Sequence, residues 1–314
     1  MENQHKIAGI IHSMEKIIVG KREVIEYALI TLLAGGHLLL EDVPGVGKTT
    51  LAKNLALTIG CGFTRIQFTP DTLPSDVTGL SIYNMQSGKF EYLKGAIMNH
   101  IILADEINRT SPKTQASLLE AMEEKQVTVD GITYALSKPF MVIATQNPID
   151  YLGTYNLPEA QLDRFMMKLS IGYPDVGEEK MMAERFLNHQ LAQTLDAVTD
   201  GATILQMQKE VEEVKVHQDL VAYVTKIIQE TRKDSNISLG ASPRATLALL
   251  RAAQAHAYLS DRNYCIPDDI IKLIGPVLAH RIILSPEARL SQTRVEKLLK
   301  TITAKVHVPV LTSV

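Results

Sequence analysis

Residues 38 to 50 read Leu38-Leu39-Leu40-Glu41-Asp42-Val43-Pro44-Gly45-Val46-Gly47-Lys48-Thr49-Thr50. The apolar start is typical of a buried parallel strand, and residues 51 to 56 after the loop have helical composition and no helix breaker. In a strand, loop and helix of this kind, successive backbone N–H groups and the positive end of the helix form a concave anion site. The stretch therefore predicts an α/β fold with a phosphate-binding loop.

The residue types in this loop suit a bound nucleotide. Gly45 and Gly47 let the backbone approach phosphate where a Cβ would intrude. Lys48 would reach the β- and γ-phosphates, and the Thr49 hydroxyl would ligate Mg²⁺. Asp42 departs from the G-x-x-x-x-G-K-[ST] pattern, which starts with glycine. An ordinary strand-to-helix turn is the alternative, but the flanking strand and helix favour nucleotide binding. The predicted contacts are Pro44, Gly45, Val46, Gly47, Lys48, Thr49 and Thr50.

The composition is that of a soluble globular protein. The 314 residues are enough for about two domains, and 46% hydrophobic and 21% charged residues are ordinary values. The formal net charge of −3 and the lack of a long basic block argue against nucleic acid as the main partner. The apolar runs are too short for a membrane span, and no signal-peptide pattern opens the sequence. Two distant cysteines predict reduced thiols, so we expect a cytoplasmic protein.

A second apolar strand predicts the catalytic carboxylates. Residues 101 to 104 are apolar and run directly into Asp105 and Glu106. Ligands bind at the carboxyl edge of parallel sheets, so Asp105 would hold Mg²⁺, through water, and Glu106 would act as the base that polarises the attacking water. A helix N-cap pair is the alternative. The position downstream of a phosphate loop favours catalysis.

Two further signals concern the nucleotide. The apolar run of residues 140 to 145 predicts a buried strand that delivers Gln146 and Asn147 to the edge where Asp105 lies, although a turn before Pro148 is an alternative. An amide there can hydrogen-bond the γ-phosphate or the attacking water. Earlier in the chain, the Val19-Gly20 turn separates two predicted helices and would lie against the nucleotide base.

Two hairpins interrupt the regular order of strands and helices. Residues 80–84 and 89–93 flank Ser87-Gly88, and residues 126–134 alternate around Asp130-Gly131, which is a strong hairpin signal. Insertions of this kind serve interactions more often than they serve the core.

The pattern changes near Tyr173-Pro174-Asp175, so we predict a nucleotide-binding core over residues 1–175 and a helical domain over residues 176–314. Strands essentially vanish after residue 178. Arg164 follows a short helix, where it would by itself be a surface charge or a partner of Asp163. Arg244 lies in the first turn of a helix capped by Ser242, where a cation opposes the helix dipole and a bound phosphate would explain it. The predicted helices cover about 179–195, 202–214, 220–232, 243–259, 267–283 and 294–305.

Taken together, the chain resembles the MoxR family of AAA+ ATPases over essentially its whole length. Six motifs in the family's order carry the resemblance: residues 41–49, 67–71, 104–109, 144–148, 157–165 and 240–245. The fold implied is a P-loop NTPase of the AAA+ type, with a parallel-sheet core, hairpin inserts and a small all-α lid domain. The hairpins resemble the helix-2 insert and the pre-sensor-1 insert, which line the pore side in this clade.

The resemblance also implies roles for single residues. Asn147 is similar to sensor 1, Arg164 to the arginine finger that enters a neighbouring subunit's site, and Arg244 to sensor 2 of the lid. A ring of identical subunits, usually a hexamer, then follows. Acidic residues at the position of Asp42 occur in similar family members, and Gly95-Ala96 stands where Gly-Pro is more usual.

The predicted function is Mg²⁺-dependent ATP hydrolysis coupled to remodelling or maturation of other proteins, with a von Willebrand factor A domain protein as the partner that the resemblance implies. The motor subunit of a metal chelatase shares this architecture and is one alternative. A nucleotide-gated binding scaffold with negligible turnover is another, although Lys48, Asp105 and Glu106 are each of the type that hydrolysis requires. A nucleic-acid motor of the replicative-helicase kind is disfavoured by the near-neutral charge.

Overall fold

A five-stranded parallel sheet lies at the centre of the computed structural model, which describes residues 2–147, 154–188 and 195–310. Its strands run in the order β2-β5-β8-β1-β9. Because β8 lies between β1 and β5, the carboxyl ends of these three parallel strands lie side by side at one edge of the sheet. The strands of the sheet are β1 (Leu38–Glu41), β2 (Phe63–Gln67), β5 (Ile101–Asp105), β8 (Met141–Gln146) and β9 (Met167–Leu169).

Apolar side chains cover both faces of the sheet, as continuous apolar strands predict. Successive side chains alternate between two clusters: Leu38 and Leu40 belong to one, and Leu39 belongs to the other. Ile101 and Ile102 divide in the same way. The predicted strand and helix of the phosphate loop, and the predicted strands before Glu106 and Asn147, are therefore confirmed.

Both predicted hairpins are present. β3 (Gly79–Asn84) pairs antiparallel with β4 (Lys89–Lys94), and β6 (Gln126–Val129) pairs with β7 (Ile132–Ala135). The second turn places Asp130 at φ 50° and Gly131 at φ 77°, as expected for an Asp-Gly hairpin turn.

Helices flank the sheet and form most of the C-terminal part. The helices of the N-terminal part are α1 (Glu2–Glu15), α2 (Arg22–Leu33), α3 (Lys48–Thr58), α4 (Pro74–Thr78), α5 (Pro112–Glu124) and α6 (Glu159–Leu162). Those that follow are α7 (Val176–Leu187), α8 (Gly201–Glu212), α9 (Gln218–Thr231), α10 (Pro243–Leu259), α11 (Pro267–Leu278), α12 (Pro286–Leu290) and α13 (Val295–Lys305). Within the described residues, no helix has the length and apolar character needed to cross a membrane.

The C-terminal part contains a pair of short strands that was not predicted from the sequence. β10 (Ile237–Leu239) pairs antiparallel with β11 (Ile283–Leu284), although strands were expected to vanish after residue 178. The helix predicted over 267–283 accordingly ends at Leu278, and a short 3-10 turn over Ala279–Arg281 leads into β11. The helix predicted over 179–195 ends at Leu187, and part of its predicted range lies outside the described residues.

One of the two apolar clusters extends beyond the sheet. It begins at Ile7 and Ile10 on α1, passes along α2 and α3, and includes Leu249 on α10 and Leu273 on α11. The N-terminal helices thus pack with the C-terminal helices as well as with the sheet. The domain boundary at residues 175 and 176 stays a prediction.

Candidate active site

A cleft of about 450 Å³ opens at the carboxyl edge of the sheet, where the ends of β1, β5 and β8 lie side by side. Its position follows from the strand order, because ligands of parallel sheets bind at this edge. The residues that line it are Pro44, Gly45, Gly47, Lys48, Thr49, Thr50, Arg65, Gln67, Asp105, Glu106 and Asn147. Phosphate-loop residues, both carboxylates and Asn147 are therefore together, as predicted.

The phosphate loop adopts a conformation that depends on its glycines. Gly45 has φ 88° and Gly47 has φ 97°, and a Cβ on either residue would meet open space. A side chain there would strain the backbone at two positions that line the cleft. Lys48 donates to the carbonyl oxygens of Asp42 at 2.6 Å and Val43 at 3.3 Å. Partial burial lowers the pKa of Lys48.

Asp42, which stands where the common pattern has glycine, anchors the start of the phosphate loop to residues 170–172. Its carboxylate accepts hydrogen bonds from Ser170 Oγ at 2.9 Å, from the Ile171 backbone N–H at 2.5 Å and from the Gly172 N–H at 3.3 Å. The residue is 6% exposed and is absent from the cleft lining. Its negative charge is therefore bound by backbone and hydroxyl donors beyond β9, and the departure from the pattern does not place a carboxylate against phosphate.

Both oxygens of the Asp105 carboxylate have partners. Oδ1 accepts from Thr145 Oγ1 at 2.6 Å, and Oδ2 accepts from Arg65 Nη2 at 2.6 Å and Nε at 3.1 Å. Thr145 also accepts the Glu106 backbone N–H at 2.8 Å, so one buried hydroxyl joins the two acidic residues. Arg65 is half exposed and reaches Asp105 from the neighbouring strand β2.

Glu106 has an unusual backbone and two charge-assisted contacts. Its φ of 57° and ψ of 49° are left-handed, a conformation that non-glycine residues adopt mainly where the surroundings impose it. Gln67 Nε2 donates to Glu106 Oε2 at 3.0 Å, and Arg109 Nη1 donates to the same oxygen at 2.9 Å. The carboxylate is thus held in the cleft by an amide and a guanidinium.

The site also offers the oxygen ligands that Mg²⁺ prefers. The Thr49 hydroxyl lies in the first turn of α3, and the Asp105 carboxylate lies at the end of β5, both on the cleft wall. A hydroxyl, a carboxylate and phosphate oxygens form a donor set that fits this ion. The predicted metal residues, Thr49 and Asp105, are therefore brought together.

Five predicted residues lie apart from the cleft lining: Val19, Gly20, Val46, Arg164 and Arg244. Val46 packs against the apolar cluster. At the Val19-Gly20 turn, the Gly20 Cα faces the side chain of Glu178 on α7, and a Cβ on Gly20 would collide with it. Base binding at this turn stays a prediction. Arg164 and Arg244 are likewise absent from the lining.

Arg164 and Arg244 instead meet at one carboxylate. Glu123, at the end of α5, places Oε2 at 2.9 Å from Arg164 Nε and Oε1 at 2.5 Å from Arg244 Nη2. Arg164 therefore does not pair with its neighbour Asp163, which was the local alternative in the sequence. Arg164 follows α6 and Arg244 lies in the first turn of α10, so two segments far apart in sequence meet at this carboxylate.

A brace fixes the segment that carries Arg164. Asp163 accepts from Arg281 Nε at 2.6 Å and from Ser242 Oγ at 2.9 Å. Arg281 also donates to the carbonyls of Phe165 at 2.7 Å and Met166 at 3.1 Å. Ser242 caps α10, the helix whose first turn holds Arg244. One carboxylate therefore links the positions of both arginines.

Sequence reasoning assigned no function to five residues that contact the predicted ones: Arg65, Gln67, Arg109, Thr145 and Glu123. Arg65 and Gln67 alternate on a predicted strand, so they share a face. The signal needed to place them was the register of β2 on β5, which sets Gln67 opposite Asp105. Glu123 gave no local signal, because its partners are distant in sequence.

Comparisons with known proteins agree with this geometry. The model of the ATPase family associated with various cellular activities (AAA) matches residues 37–167, and the AAA lid domain model matches residues 229–302. The chain is 50% identical to the uncharacterised protein YeaC of Bacillus subtilis (strain 168), over 98% of this chain and 97% of that protein. It is 38% identical to Chaperone MoxR1 of Mycobacterium tuberculosis, over 99% of this chain and 84% of the relative.

A solved structure supports the same conclusion. A protein of Cytophaga hutchinsonii, provisionally assigned as an ATPase, superposes with a TM-score of 0.91 at 40% identity, over 98% of this chain and 96% of that one. The likeness therefore extends through both the sheet and the C-terminal helices. The chain belongs to the MoxR family of AAA+ ATPases.

Proposed function

We propose that this chain hydrolyses ATP with Mg²⁺ and forms a hexameric ring. Within that ring, the neighbouring copy would complete each catalytic site. AAA+ ATPases generally form rings. The proposal rests on the distance between the two groups of predicted residues. Lys48, Asp105 and Glu106 line the cleft. Arg164 and Arg244 lie outside the cleft and contact Glu123. Two arginines that do not reach their own cleft are available to a neighbour's.

Each cleft residue has a defined part in this reaction. Lys48 would exchange the carbonyls of Asp42 and Val43 for the β- and γ-phosphates. Glu106 would accept a proton from water while the water oxygen bonds to the γ-phosphorus and the bond to the leaving ADP oxygen breaks. Asn147 would orient that water or the γ-phosphate. A Mg²⁺ ion held by Thr49 and, through water, by Asp105 would neutralise charge on the phosphates.

Arg164 and Arg244 would then supply positive charge from the neighbouring copy. Charge on the phosphate oxygens in the transition state is what such arginines stabilise. Because the contribution comes from another chain, hydrolysis would depend on assembly.

We propose that ATP hydrolysis by this chain is coupled to the remodelling of partner proteins. The hairpin of β3 and β4 supports it with exposed apolar side chains: Met85 is 90% exposed and Phe90 is 74% exposed. Exposed apolar groups on a projecting element are suited to contact other polypeptides. A protein with a von Willebrand factor A domain is the partner that we propose from the family resemblance.

The test is ATPase activity in mixtures of two variants. Lys48→Ala removes phosphate binding in its own cleft but leaves both arginines, and an Arg164→Ala/Arg244→Ala variant keeps the cleft but donates no arginine. We expect each variant alone to be inactive and their mixture to recover activity, since a productive site then forms between unlike subunits. Specific activity of the unmodified chain should also rise with protein concentration. A mixture as inactive as its components, or an arginine variant with unchanged activity, would remove the shared site.

A further inference from the structure

Glu123 occupies the position between the two arginines where a shared anion would bind. Its side chain is 38% exposed, and those of Arg164 and Arg244 are 28% and 48% exposed. Ion pairs at this level of exposure are weak and exchangeable. The contact is therefore one that a stronger anion can displace.

The two contacts differ in quality. Arg244 Nη2 donates a hydrogen bond to Glu123 Oε1. Arg164 Nε lies 2.9 Å from Oε2, but its N–H is not directed at that oxygen, and this buried nitrogen has no hydrogen-bond acceptor among the described residues. An unsatisfied buried donor is unfavourable. The carboxylate thus balances the charge of Arg164 without completing its hydrogen bonding.

Phosphate would suit the pair better. Guanidinium groups bind phosphate through several charge-assisted hydrogen bonds, and a terminal phosphate offers three oxygens where a carboxylate offers two. The brace of Asp163, Arg281 and Ser242 sets the two arginines side by side before any ligand arrives. The anion that replaces Glu123 would therefore meet an organised site.

We propose that Glu123 is an internal stand-in for the phosphate of a neighbouring copy's nucleotide. In a free subunit it neutralises Arg164 and Arg244, and on ring assembly the terminal phosphate of the adjacent ATP takes its place. The inference rests on the proposed function, in which both arginines act on a neighbour. It adds that each interface forms only after these two ion pairs are broken, so Glu123 sets how readily an arginine-donating subunit assembles.

The test extends the mixing experiment with three donors. All carry Lys48→Ala; one has no other change, one adds Glu123→Gln, and one adds Glu124→Gln. Glu124 is the adjacent exposed carboxylate on α5 and serves as the matched control. Each donor is titrated into a fixed amount of the Arg164→Ala/Arg244→Ala acceptor, and the donor concentration that gives half-maximal ATPase activity is recorded. Melting curves confirm that the donors are folded.

We expect the Glu123→Gln donor to reach half-maximal activity at a concentration roughly threefold to tenfold lower than the other two, as the loss of two exposed ion pairs allows. If the Glu123→Gln donor needs the same or a higher donor concentration for half-maximal activity, Glu123 does not act as a stand-in for phosphate. The proposal of a shared site is unaffected by that result. If no donor restores activity, the shared site itself fails, and Glu123 loses this role with it.

Discussion

At the scale of single residues, Arg65 competes for the carboxylate that would hold the metal. Its guanidinium reaches Asp105 Oδ2 at 2.6 Å, and the other oxygen of Asp105 is bound by Thr145. A cation so close to the carboxylate opposes the binding of a second cation through simple repulsion. We infer that Arg65 must turn away when Mg²⁺ and ATP bind, which its half-exposed side chain permits.

Replacing Arg65 with alanine should therefore strengthen Mg²⁺ binding. We expect the Mg²⁺ concentration that half-saturates binding of a fluorescent, non-hydrolysable ATP analogue to fall about threefold. Mn²⁺ titration followed by electron paramagnetic resonance gives a second readout that does not depend on turnover. Lys53→Ala, on the exposed side of α3, removes a cation outside the cleft lining and should change neither value. Equal shifts in both variants would show a general charge effect instead.

The sequence predicted the residues of the cleft whose chemistry is local. Lys48 and Thr49 follow from the loop and the helix after it, and Asp105 with Glu106 follows from the apolar strand before them. Arg65 and Gln67 could not be assigned, because their role comes from pairing between β2 and β5. Such register is set by packing across the sheet, and no local pattern encodes it.

At the scale of elements, the brace at Asp163 connects α6 with the helices that follow. Arg281 is almost completely buried, with 2% of its side chain exposed, and its charge is balanced by Asp163. Burial lowers the pKa of Arg281, and Asp163 opposes that shift. Removing one partner of a buried ion pair strongly destabilises the folded state, because the other charge stays buried without a counter-ion.

Asp163→Ala should accordingly destabilise the fold. We expect the free energy of unfolding to fall by about 3–5 kcal/mol, because the guanidinium of Arg281 would stay buried without its counter-ion. Urea unfolding monitored by circular dichroism measures it. For comparison, Glu230→Ala breaks the exposed pair with Lys233 and should change stability by less than about 1 kcal/mol. Similar losses in the two variants would refute the structural role of the brace.

Elements with strong local signals were predicted well, and short ones were not. Asp130-Gly131 identified its hairpin, and Ser242 identified the start of α10, where its side chain accepts the Ala245 N–H. The strands β10 and β11 have only three and two residues, and they pair across a long separation in sequence. Too few residues alternate there to distinguish a strand from a helix end.

At the scale of the whole molecule, buried histidines make the stability depend on pH. His37 lies between β1, β8 and α5: its Nδ1 accepts the Val142 N–H at 3.0 Å, and its Nε2 donates to the Met122 carbonyl at 3.2 Å. Burial lowers the pKa of His37 from the ordinary 6.5 to about 4. Burial also lowers the pKa of His280 well below its usual value.

Acidification should therefore weaken the fold. Between about pH 6.5 and pH 4 the unfolded chain binds protons that folded His37 excludes, so the free energy of unfolding falls as the pH falls through this window. For His37 alone we expect a loss of about 2 kcal/mol between pH 7.5 and pH 5. Urea midpoints at the two pH values measure the change. His37→Gln should reduce it by that amount, and an unaltered pH dependence would contradict the assignment.

The contacts of Asp42 at the start of the phosphate loop matter for identifying such loops in other sequences and for grafting them into other proteins. Where other loops of this kind rely on a glycine to permit the bend, Asp42 anchors the bend to Ser170, Ile171 and Gly172. A pattern search that insists on glycine would overlook this loop. Conversely, residues 42–49 grafted into a protein without a matching set of donors would leave the aspartate's carboxylate without hydrogen-bond partners, which is costly for a buried charge.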